Sequence, residues 1–179
     1  ISTMLITKII AKNFKTYREL DLDLTVNEEQ PIILIGGENG GGKTTLFQAI
    51  YSALYGLKVK DEQHFNKLQN AGERAKSSGN SSNKIELEIH FTGKVLHNDY
   101  KYIIKRLYTL NAQNNPVEAV MLNLNGDIFN YGTATPHAER VKKEAEVNKI
   151  IKANLPQELS KYFLFDAMEA GNLLKDEYL

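Results

Sequence analysis

The chain has 179 residues, 22 Lys and Arg against 22 Asp and Glu, and 42% hydrophobic residues, the composition of an ordinary folded domain rather than a disordered or collagen-like chain. It contains no Cys, which excludes disulfides, thiolate metal sites and a Cys nucleophile. No apolar run approaches the ~20 residues that cross a bilayer and the first residues lack a signal pattern, so the reading is of a cytoplasmic lobe with no membrane partner.

The length suits one domain, here residues 1–179. Residues 4–13 read as a strand. Leu20, Leu22 and Leu24 alternate with Glu19, Asp21 and Asp23, a half-buried strand whose expected partner is the first. Ile32 to Ile35 form a short apolar run ending at Gly36-Gly37, as in a strand covered on both faces. From Thr44 to Tyr55, Leu46, Phe47, Ile50, Ala53 and Leu54 recur at helical spacing, and Gly56 is a helix stop. Residues 57–84 form a polar insertion with six Lys or Arg against three acidic residues. Within it, 77–83 is only Ser, Gly and Asn, the composition of a mobile loop. Residues 84–131 read as an antiparallel β-meander. Ile85, Leu87, Ile89 and Phe91 share one face, and Gly93 is read as a turn. Tyr100 to Leu110 is a strand, and Asn125-Gly126 closes a hairpin after Val120, Leu122 and Leu124. Residues 135–179 read as helical, with Thr135 as cap and Ala138, Val141, Ala145 and Ile151 turned to the core.

The chemistry sits in Gly37-Glu38-Asn39-Gly40-Gly41-Gly42-Lys43-Thr44, which fits G-x-x-x-x-G-K-[ST]. The glycines let the backbone approach a phosphate chain, and successive N–H groups form an anion nest. The helix opening near Lys43 adds its positive end. Lys43 bridges the β- and γ-phosphates and the Thr44 hydroxyl takes Mg²⁺. The expected ligands are therefore ATP and Mg²⁺.

With Thr45 and Leu46 added, this stretch resembles the Walker A of ABC-type ATPases, and Asn13-Phe14-Lys15-Thr16-Tyr17 resembles the N-F-K/R-S-Y/H element of SMC-like DNA-repair ATPases. Leu54-Tyr55-Gly56 and Tyr162-Phe163-Leu164-Phe165-Asp166 are similar to motifs of the DndD family, the ATPases of DNA phosphorothioation systems. The Asp is retained, while Ala167-Met168 stands where that family has Gly-Glu. The resemblance implies an α/β P-loop fold of ABC/SMC-head type, a core sheet with the Walker A helix joined to an antiparallel β-subdomain. It implies that Lys15 and Thr16 lie near the phosphates or ribose and Tyr17 close to the nucleotide. Glu38, Asn39, Gly40, Gly41, Gly42, Lys43, Thr44 and Thr45 then form the cradle. Asp166 falls at the Q-loop position, toward metal and attacking water. No signature Ser-Gly-Gly and no Asp-Glu after four apolar residues follow. The resemblance therefore implies a complementary C-terminal lobe, a second head in an ATP-dependent homodimer, and DNA in the assembly.

Two other readings stay open. Phe163-Leu164-Phe165-Asp166 has the form of a Walker B, which would make the chain a stand-alone NTPase or kinase with Asp166 on the metal. A nucleotide-sensing module without turnover is the third. His64, His90, His97 and His137 show no ligand spacing. Lys142, Lys143, Lys149 and Lys152 read as a solvated helix face, and Arg106 as either a solvated strand edge or a reach toward the nucleotide.

Overall fold

Strand alternation and helical periodicity sort the apolar residues into elements that share one buried surface. A computed structural model describes residues 5–25, 42–76, 83–95 and 97–154, with the side chains at 42–44, 94, 95, 153 and 154 outside that description. The described elements are β1 (Leu5–Phe14), β2 (Tyr17–Asp23), α1 (Gly42–Tyr55), α2 (Glu62–Leu68), α3 (Ala71–Lys76), β3 (Ile85–Val95), β4 (Asn98–Leu110), β5 (Pro116–Leu124), β6 (Asp127–Tyr131) and α4 (His137–Asn154).

The strands form one antiparallel sheet in the order β2-β1-β3-β4-β5-β6. β2 pairs with β1 as its alternation predicts, with Ile9 opposite Leu22 and Phe14 opposite Tyr17. The sequence reading separates a core sheet from the meander. The described strands are instead continuous, because Ile9 pairs with Ile89 and Ala11 with Leu87 across β1 and β3. The expected strand at 32–35 lies outside the described residues.

One sheet face is apolar. Ile9, Leu87, Ile89, Ile104 and Leu122 are all fully buried there, each stabilising the fold by about 1.5–3 kcal/mol. Phe91 and Tyr102 stack with ring centroids 4.8 Å apart. Helix α1 packs on β1, β3 and β4, burying Leu46, Ile50, Ala53 and Leu54. The other face carries ion pairs such as Lys8 with Asp21 (3.3 Å), which contribute little to stability in water.

Gly56 ends α1 as read from sequence. Its φ is +90° and its N–H donates to Ser52 O at 2.8 Å. A Cβ here would lie 3.2 Å from Arg106 Nη1 and 3.3 Å from Glu118 Oε2, both pinned groups. Gly56→Ala is therefore expected to destabilise by about 2 kcal/mol, read as a lower urea midpoint at unchanged m-value.

The polar insertion holds two short helices that its composition conceals. Asp61 caps α2, its carboxylate accepting from the His64 N–H at 2.7 Å. Phe65 and Leu68, three apart, are buried. Asn70 caps α3, its Oδ1 accepting from the N–H groups of Gly72 (3.0 Å) and Glu73 (3.3 Å). The Ser-Gly-Asn stretch lies outside the described residues except for Asn83.

In the meander, Asn125 (φ 50°) and Gly126 (φ 99°) close the β5–β6 hairpin, the positive-φ pair that a two-residue turn requires. Gly93 is a correction: it lies within β3 opposite Tyr100, and the chain reverses only after Val95, before β4 opens at Asn98, with His97 at φ 120°.

Helix α4 also corrects the expected face. Ala138, Val141 and Ala145 are exposed, while Ile151 is buried as expected and Val147 is buried beside it. The helix has few apolar residues, and besides Val147 and Ile151 it docks through polar reach. Arg140 lies over the Tyr131 ring at 5.7 Å, and Lys143 Nζ donates to Asn130 O at 2.9 Å. Lys143 thus reaches the sheet edge while its side chain stays 32% exposed.

Candidate nucleotide-binding site

Helix α1 begins at Gly42, inside the glycine-rich motif, so Gly42, Lys43, Thr44 and Thr45 occupy its first turn. The first N–H groups of a helix lack partners within it, and that turn has no acidic residue to repel an anion. Thr45 is buried. Glu38, Asn39, Gly40, Gly41 and Asp166 lie outside the described residues, as do the side chains of Lys43 and Thr44.

The β1–β2 turn carries the remaining candidates. Lys15 Nζ donates to Gln48 Oε1 at 2.6 Å, which brings Lys15 to α1 one turn beyond Thr44. Thr16 is exposed on the same turn. Tyr17 is half-buried, and burial raises its hydroxyl pKa above 10.

This turn is held by the polar insertion. Lys15 has φ 50°, a conformation that costs a non-glycine residue and persists only where the surroundings fix it. Its N–H donates to Leu68 O at 2.8 Å and its carbonyl accepts from Asn70 Nδ2 at 2.9 Å. Asn13, also at positive φ (56°), accepts from the Asn70 N–H at 3.0 Å and donates to Lys84 O at 3.1 Å. The Asn of the N-F-K-T-Y element therefore joins the turn to the insertion. Its buried amide is satisfied on both sides, as a buried polar group must be.

Two groups escaped the sequence reading. Gln48 is a buried polar residue of α1, and its signal was a Gln four residues after Thr44 inside an apolar helix. Arg106 corrects both of its readings. It is 2% exposed, and it donates to Ala53 O (2.8 Å) and Leu54 O (2.7 Å) at the far end of α1. Strand alternation with Tyr102, Ile104 and Tyr108 was the signal that placed it inward.

The donor set suits a nucleotide with a divalent cation: a helix start free of acidic residues, a cationic side chain at position 43 and a hydroxyl at 44. A family model described as an AAA domain matches residues 8–177. No curated protein matches the sequence. The matched stretch includes the glycine-rich motif, the N-F-K-T-Y turn and Asp166, and it supports a nucleotide-binding ATPase and an SMC-like ATPase head. With nearly its whole length matched, the chain belongs to this AAA-domain family.

Proposed function

We propose that the chain is the N-terminal ATP-binding lobe of an SMC-like, ABC-type head, DndD-like and serving DNA sulfur modification or restriction. The observation that carries the reading is the start of α1 at Gly42 within the glycine-rich motif, beside a Lys15 fixed by Gln48. Lys43 binds the β- and γ-phosphates and Thr44 holds Mg²⁺. Lys15 and Thr16 bound the phosphate or ribose side, and Asp166 holds the metal or orients water. Bound Mg²⁺ supplies the charge neutralisation that phosphoryl transfer needs.

A complementary C-terminal lobe and a second head complete the site, and ATP joins the two heads so that hydrolysis changes their hold on DNA. The test is ATP turnover by the full-length gene product across a wide concentration range, with and without duplex DNA. A head dimer loses specific activity on dilution. Constant specific activity at every dilution contradicts the two-head site and assigns a stand-alone NTPase.

A further inference from the structure

Helix α1 has no basic residue in its last turn, so the negative end of its dipole is not met from within the helix. The cation comes from β4. Arg106 Nε donates to Ala53 O at 2.8 Å and Nη2 to Leu54 O at 2.7 Å. Its Nη1 lies 3.6 Å from Glu118 Oε2 on β5. Tyr108 donates its hydroxyl to the same carboxylate oxygen and accepts from the Leu57 N–H at 2.8 Å. Burial first, then the Glu118 charge, push the Tyr108 hydroxyl well above pH 10, so it stays a donor. Glu118 also reaches α4, its backbone carbonyl accepting from Arg140 Nη2 at 3.3 Å.

A buried ionic cluster is a poor source of net stability, because desolvation of the charges offsets their attraction. What a guanidinium fork supplies is geometry: two donors at fixed spacing meet two carbonyls one residue apart. A single α-helix is stiff, so where its last turn is held decides where its first turn sits.

We propose that Arg106, with Tyr108 and Glu118, is a positioning latch that fixes the axial placement of α1, and through it the presentation of Lys43 and Thr44 to the phosphates. This rests on the ATP-binding reading above. The latch works from the opposite end of the helix, about 15 Å from the motif at ~1.5 Å per residue.

The test is calorimetric titration of MgATP into the full chain, well below its melting temperature, for wild type, Arg106→Lys, Arg106→Met and Lys43→Ala. Arg106→Lys keeps the charge and loses the fork. Both Arg106 variants are expected to weaken binding about tenfold, about 1.4 kcal/mol, and to shrink the rise in melting temperature that MgATP gives wild type. A structural role alone lowers the melting temperature without nucleotide and leaves Kd within about twofold of wild type; that result overturns the latch. Should Arg106→Met not fold, Arg106→Lys decides by the same criterion. If wild type binds MgATP, Lys43→Ala does not, and Arg106→Lys binds as wild type does, the latch alone fails. If wild type shows no binding, the nucleotide site fails and the latch with it.

Discussion

Phe14→Ala is expected to lower the unfolding free energy by about 3–5 kcal/mol. Phe14 is fully buried at the end of β1, opposite Tyr17 across the turn. Its ring lies 5.7 Å from Lys15 Nζ, a cation–π contact. The neighbouring backbone cannot collapse into the space left behind. Asn13 and Lys15 on either side are held by bonds to Asn70, Leu68 and Lys84. The lost contacts therefore persist as a cavity. For a chain of this size the melting temperature should fall on the order of 10 °C. A loss below about 1 kcal/mol would mean that Phe14 is not the hub of this turn.

The same turn shows why some of the fold was legible and some was not. Alternation in β2, β3 and β4 and the Asn125-Gly126 pair are local signals, and the structure follows them, since one buried face selects the register. The continuity of the sheet from β1 into β3 was not legible, because it joins residues some eighty positions apart through backbone bonds that no local pattern records. Helices α2 and α3 hid in a polar stretch because their order comes from caps at Asp61 and Asn70 and from two buried residues, Phe65 and Leu68. The face of α4 was misread because its docking runs through Arg140 and Lys143, whose stems span the sheet edge while their heads reach carbonyls. A charge is read from sequence as solvated. Arg106 shows the exception, where a helix end offers a buried cation enough acceptors.

Of the candidate site, Lys15, Thr16, Thr45 and the backbone of 42–44 have places in the described structure, and Lys15 donates to Gln48 there. The identity of Gln48 as that partner required the fold. The turn and α1 are brought together by the β1–β2 register and by the packing of α1 on β1, neither of which follows from spacing in the chain.

The second large effect belongs to Lys43. Its ammonium is the one full positive charge that the glycine-rich motif supplies. Charge-assisted bonds to phosphate each contribute about 1.5–3 kcal/mol. Lys43→Ala should therefore weaken ATP binding by about a hundredfold, and the exchange of one side chain in a helix for another good helix former should leave the melting temperature without nucleotide close to wild type.

Titration of ATP with Mg²⁺ into wild type and Lys43→Ala, with both proteins first shown to melt alike, puts the site itself on trial. Saturable one-to-one binding by wild type, lost in the variant, is the result expected of a phosphate cradle at the start of α1. Equal affinity in the two proteins would place the nucleotide somewhere else and contradict the assignment.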